Sequence, residues 1–212
     1  MKNEFLGKVF RWLGLGLLVT FITAYFTSTN INLLATIFSG YGYLIIILLE
    51  LGLAIYLSAR IRKMSSTTAI ACYLGYSVLT GLTLSSIFIV YEITSIIYIL
   101  LATSLTFFVF SLLGKSDKFD LSHYGIYLFV VLIGILILEL INIFLMNNTL
   151  NIIVCIVGLG VFVGYVAYDV QKILRYYEET ENMAIIGAFN LYLDFINIFI
   201  RLLQLFGKSR DN

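Results

Sequence analysis

The sequence predicts an all-α integral membrane protein, a bundle of seven helices. Three observations carry this. Of 212 residues, 61% are hydrophobic and only 12% charged, against roughly 45–50% and ~25% in soluble domains. Mean hydropathy is +1.02, which excludes a soluble domain and a disordered chain alike. Finally, the apolar residues are gathered into seven stretches, at residues 9–26, 41–59, 67–90, 93–113, 124–146, 150–168 and 183–206. A hydrocarbon core of ~30 Å needs about 20 residues per helix, and each stretch meets or nearly meets that length.

The first stretch follows Lys2, Lys8 and Arg11 and could be mistaken for a secretory signal. It continues through Phe26 into Thr27-Ser28-Thr29 without a small-x-small cleavage pattern, so a retained helix is expected. The second stretch carries Glu50 at mid-depth and ends at Arg60-Ile61-Arg62-Lys63. The third and fourth are joined by Tyr91-Glu92 and the fifth and sixth by Asn147-Asn148-Thr149. Links this short force antiparallel neighbours. The fifth stretch carries Glu139 and the sixth closes at Asp169, after Gly160 and Gly164, a spacing that allows close helix approach. Together the seven leave no room for a separate soluble domain, so residues 1–212 form one polytopic membrane domain. No repeated motif supports an inverted-repeat transporter, and the short alternating strands of an outer-membrane barrel are missing.

Charge sets an expected orientation. Lys2, Lys8, Arg11, Arg60, Arg62, Lys63, Lys115, Lys118, Lys172 and Arg175 all fall at the N-terminus or in the even-numbered links, ten basic residues against none in the other links. By the positive-inside rule the N-terminus is expected to be cytoplasmic. Lys208 and Arg210 leave the C-terminus open: a spanning last helix would put them on the far side, and a re-entrant one would return them. A net charge of +1 offers no field for nucleic acid. One histidine and two cysteines, Cys72 and Cys155, make neither a zinc centre nor a disulfide framework.

Function must therefore be sought in the polar residues placed in lipid. An ionisable group at the bilayer centre costs at least ~2.5–3.5 kcal/mol. Glu50 and Glu139 each read as either a protonated acid bonded across helices or a functional group, and Glu139 is expected to matter less than Glu50. In the last stretch Asn190, Asp194, Asn197 and Arg201 are spaced by four, three and four, and fall within ~60° of one another on a helix. Lipid cannot satisfy such a stripe, so this helix should be surrounded by others and face a polar cavity, with a hydrogen-bonded packing seam as the alternative. Asp169 gains interest from Asp194 on the next helix. Two carboxylates held close cannot both ionise cheaply and would share a proton. The oxygen donors present suit calcium, a hard cation, whereas sulfur and imidazole ligands for softer metals are few.

The segment Asn190-Leu191-Tyr192-Leu193-Asp194-Phe195-Ile196-Asn197-Ile198-Phe199 closely resembles the last helix of the transmembrane Bax inhibitor motif family, including its bacterial Bax inhibitor-1-like members. Tyr168-Asp169-Val170-Gln171 resembles that family's Tyr-Asp-x-Gln stretch, and Thr80-Gly81-Leu82-Thr83-Leu84 and Thr106-Phe107-Phe108 are weaker matches. Ser86 stands where many members have proline, and Val170 where threonine is common. The resemblance covers nearly the whole chain. It implies a seven-helix fold with an enclosed last helix and a pH-sensitive calcium leak, with no cofactor and calcium as the transported ion. The family's paired aspartates carry over to Asp169 and Asp194, which would gate the leak and contact calcium; the family's latching arginine corresponds to Arg60 or Arg62. Glu50, Asn190, Asn197 and Arg201 are expected in the pore or its polar cavity. Expected partners are membrane lipid, calcium and protons. The expected compartment is a bacterial plasma membrane, or the endoplasmic reticulum or Golgi in a eukaryote.

Other readings are a proton-coupled cation exchanger, a non-transporting interaction or cytoprotective protein, and an intramembrane aspartyl protease. The protease reading is weakened because Asp194 follows Leu191-Tyr192-Leu193 rather than Gly-x-Gly, and because the chain contains no proline for a Pro-Ala-Leu element. The chain is therefore not expected to be an enzyme.

Overall fold

A computed structural model describes residues 2–116 and 120–210, and Lys118 of the basic-residue count lies outside them. Every regular element among the described residues is a helix. The helices are α1 (Lys2–Thr29), α2 (Ile31–Phe38), α3 (Gly42–Arg60), α4 (Ser66–Leu84), α5 (Ile87–Val90), α6 (Ile93–Lys115), α7 (Gly125–Leu145), α8 (Asn148–Tyr176) and α9 (Glu181–Phe206), with one 3-10 turn at Ser122–Tyr124 before α7. Seven helical segments are long and apolar enough to cross a membrane, α4 and α5 together forming the third. The chain is an integral membrane protein of the expected all-α class.

Local chemistry explains most boundaries. Asn30 and Asn147 cap α2 and α8 by accepting from the Leu33 and Leu150 amides at 3.1 and 3.0 Å. Met146 adopts the left-handed conformation, φ 49°, that ends α7. The short α2 was not expected from the sequence; it buries Leu34 and Ile37 and leaves Ile31 and Leu33 exposed. The third span breaks at Ser85-Ser86 without a proline. The Ser85 hydroxyl donates to the Leu82 carbonyl at 2.6 Å and that of Ser86 to the Thr83 carbonyl at 3.3 Å, drawing these carbonyls away from the regular ladder.

Two further differences concern the sixth span. The sequence ends it at Asp169, yet α8 runs on to Tyr176. The polar run there signals an end by hydropathy, but Asp169 and Gln171 are buried, and the Gln171 Oε1 accepts from the Leu121 amide at 2.7 Å. Nor do Gly160 and Gly164 make the expected close approach. Gly160 has open space beside it and Gly164 meets only the Leu128 side chain; it is Gly114 of α6 that lies against the Ala167 backbone.

The chain forms two compact units. One comprises Met1–Ile93, Glu178–Tyr192 and Ser209–Asn212, the other Thr94–Tyr177 and Leu193–Lys208. In the first, α1 packs on α4 and α4 on α3. A Cβ at Gly81 would collide with Thr23 and with the Thr20 carbonyl, so glycine there lets α1 and α4 meet closely. At their seam the Thr20 hydroxyl lies 2.6 Å from that of Tyr192 and donates to the Ser77 carbonyl at 2.9 Å. Tyr73 donates to the Trp12 carbonyl at 3.0 Å. In the second unit α7 packs on α8 through Ile135, Val154 and Val161, with Leu128 and Leu132 against them.

Contacts inside the first unit fix where the two ends of α9 lie. At its start Glu181 pairs with Lys8 and accepts from the Trp12 indole at 2.7 Å, while the Asn182 amide donates to the Ile61 and Met64 carbonyls just before α4, both at 2.8 Å. Beyond its end the Arg210 amide donates to the carbonyl of Val90, the last residue of α5, at 3.0 Å. The two ends of α9 thus meet opposite ends of the third span. Arg210 is engaged there too, its guanidinium donating to the Phe88 carbonyl at 3.0 Å.

Candidate functional site

Burial separates α9 from the other spans. Of its most apolar stretch 72% is buried, against 6% for α3 and for the α7 span. A largely buried helix in a membrane bundle can carry polar side chains that lipid would reject, and α9 carries the whole predicted stripe. Asp194 and Arg201 are buried, Asn190 and Asn197 half-buried. The Asn197 amide bonds back to the Leu193 carbonyl at 2.8 Å.

Within the second unit, α8 and α9 bring Asp169 and Asp194 within electrostatic reach of each other, with Lys172 near both and Tyr165 beside the two carboxyls. Asp169 is 7% and Asp194 4% exposed. The Asp194 Oδ2 is buried without a hydrogen-bond partner among the described residues. Gly114 against the Ala167 backbone and the edge-to-face pair Phe107–Phe195, 5.5 Å between centroids, pack α6 against these two helices. Among the described residues no cluster of three or more acid, histidine or cysteine side chains could hold a metal. Two carboxylates alone fall short of the six to eight oxygens of a resident calcium site.

Glu139 differs from the protonated packing acid considered above. Its Oε1 accepts from the Arg201 Nη2 at 2.7 Å in an ion pair whose side chains are 40% and 8% exposed respectively. The reason is that Arg201, the one cation of the stripe, needs an anion, and Glu139 supplies it. Arg201 fits because position 158 is glycine, where a Cβ would fall on the guanidinium, and because the Phe162 ring lies 5.5 Å beneath it. Beside this pair is a cavity of about 340 Å³ lined by Asn142, Asn151, Asn197 and Gln204 with the ion pair itself. Asn142, Asn151 and Gln204 are absent from the sequence-based site. The opposite signs of Glu139 and Arg201, both deep in spans, were the available signal for their pairing.

The remaining candidates belong to the first unit. Glu50 is half-buried near Tyr43, Tyr76, Thr80, Thr83 and Tyr192. Asn190 lies on the part of α9 within that unit. Arg60, the last residue of α3, and Arg62, in the following turn, are both exposed.

Sequence comparison agrees with this architecture. A match to the family described as inhibitor of apoptosis-promoting Bax1 runs over residues 2–211. An uncharacterized protein of Borreliella burgdorferi is 41% identical, the alignment covering 100% of this chain and 95% of the relative. The inner membrane protein YbhL of Escherichia coli K12 is 40% identical, with 98% and 93% covered. An uncharacterized protein of Rickettsia prowazekii is 35% identical, with 99% and 91% covered.

Proposed function

The chain belongs to the Bax inhibitor-1-like family of membrane proteins, and on that premise we propose that it is a pH-gated calcium leak whose gate is the pair Asp169 and Asp194. The observation that carries the proposal is the buried Asp194 Oδ2 that lacks a hydrogen-bond donor, next to a second buried carboxyl. A buried carboxylate oxygen without a partner is costly, and a proton or a passing cation relieves that cost. When both groups are ionised the pair attracts a cation; when they share one proton its charge falls by one and so does that attraction. Proton exchange at the pair thus changes the charge met by calcium on its way past α9.

The proposed setting is a bacterial inner membrane with the N-terminus cytoplasmic. The one-sided distribution of basic residues and the inner-membrane designation of the Escherichia coli relative support it. Purified protein in liposomes should admit calcium above the level of empty liposomes, with a rate that changes across pH 6–8, and it should do so without an imposed proton gradient. Flux no greater than the control rejects the leak; flux only under a proton gradient replaces it with coupled exchange. Lys115→Cys should resist membrane-impermeant thiol reagents applied outside intact cells, and labelling there would invert the orientation.

A further inference from the structure

The cavity beside Glu139 and Arg201 lies at one end of the second unit. Asn142 is one turn from the end of α7, Asn151 is in the first turn of α8 and Gln204 is in the last turn of α9. Its walls are amides at the rim and an ion pair further in. Arg201 and Asn197 of α9 line it, and Asp194 lies beyond them on the same helix face, the three spaced four and three residues apart, which puts Asp194 about 10 Å of helix rise from Arg201. A cation reaching Asp194 through this cavity would pass a buried guanidinium. Alone, that charge would repel it.

Three features bear on this charge. Glu139 contacts Arg201 at 2.7 Å from another helix. The guanidinium cannot retreat, since Gly158, the Phe162 ring and the Val154 carbonyl, 3.4 Å from its Nη1, hold it in place. Its Nε is buried with no hydrogen-bond partner among the described residues, so the arginine is not fully satisfied by packing contacts alone. We propose that the cavity is a vestibule through which hydrated divalent cations reach the α9 aspartate, and that Glu139 makes it cation-accepting by cancelling the charge of Arg201. The inference rests on the leak function above and assigns a role to a cavity and an acid that function does not use.

Two readouts test it, one of them independent of flux. The first is the local potential. In a Cys72→Ser, Cys155→Ser background, Asn151→Cys places a thiol on the cavity wall, and its reaction rates with cationic and anionic methanethiosulfonate reagents report the charge there. Relative to the parent, Arg201→Gln should shift the rate ratio toward the cationic reagent, and Glu139→Gln toward the anionic one, each on the order of tenfold. The double variant Glu139→Gln/Arg201→Gln should return within about twofold of the parent. The second readout is calcium flux in liposomes, which should fall in Glu139→Gln, rise in Arg201→Gln and recover in the double variant. A merely structural ion pair would instead give losses in both single variants. Glu139→Gln leaves a buried cation unpaired and is the variant most exposed to misfolding; Arg201→Gln and the double variant carry the test without it. A rate ratio unmoved by Arg201→Gln overturns the inference, as does equal flux in all variants of a conducting protein. Ratios that move as stated, with no calcium flux even in the parent, overturn the leak function and leave the charge assignment standing.

Discussion

The two units solve the same problem, polar groups inside a membrane, by different chemistry. In the first, several hydroxyls of the α1–α4 seam find partners, Thr20 with Tyr192 and the Ser77 carbonyl and Tyr73 with the Trp12 carbonyl, while that of Thr80 is buried without one among the described residues. Tyr73 and Tyr192 are fully buried and stack edge-to-face, 6.0 Å between centroids. In the second, ionisable groups gather: Asp169 and Asp194 with Lys172, and Glu139 with Arg201. Hydroxyl networks that are satisfied rigidify a core. Acids that are not fully satisfied can change state with a proton or an ion. The α1–α4 seam is held mainly by hydroxyl–carbonyl bonds, whereas the second unit gathers more of the ionisable groups.

Four measurements would break or sharpen that contrast. The largest effect is expected at the rigid seam. Gly81→Val puts side-chain atoms where Thr23 and the Thr20 carbonyl already lie, and should cost about 3 kcal/mol by overpacking, read as a lower melting temperature in detergent. A neutral result would mean that α1 and α4 separate readily and that the seam is not rigid. Next comes Asp194→Asn, which leaves one acid of the pair. A titrating group changes its minor protonation state by about tenfold per pH unit away from its midpoint; the variant should flatten calcium flux to within about twofold across pH 6–8. Tyr192→Phe removes one hydrogen bond to Thr20 and should cost about 1 kcal/mol of stability while leaving the pH profile unchanged. If it flattens the profile as Asp194→Asn does, the division of labour between the units fails.

The smallest effect concerns an acid outside the spans. The Ser122 hydroxyl and amide bond to Asp120, and Arg175 pairs with it at 2.7 Å, holding its carboxyl below the usual range, at about 2. A depressed value means the contact contributes above the ordinary carboxylate pKa near 4 and is lost only as pH falls through about 2. Asp120→Asn should therefore leave the flux profile between pH 6 and 8 unchanged, and any shift there would bring the α8 terminus into the response.

Hydropathy was enough to read the seven spans, because apolar length is what a bilayer demands. It misjudged those places where polar residues are buried inside the protein. Asp169 and Gln171 looked like a helix end because their neighbours in space are not their neighbours in sequence. Of the pair that fits the spacing rule, Gly164 meets Leu128 of α7 but Gly160 faces open space, while Gly158, off the pattern, makes room for Arg201. The stripe on α9 was legible from spacing alone, since helical geometry fixes which residues share a face. Its complement, Glu139, was not, because the sequence does not specify the rotation of α7 about its axis. The short α2 escaped for a simpler reason: at eight residues it is too short to register as a span.

The interruption between α4 and α5 differs in kind from one made by proline. Proline deletes a donor for good. Ser85 and Ser86 keep every amide hydrogen in the chain, and their hydroxyls borrow the Leu82 and Thr83 carbonyls from the ladder. The break in the third span is thus set by two side-chain hydroxyls, and it leaves every backbone donor in place.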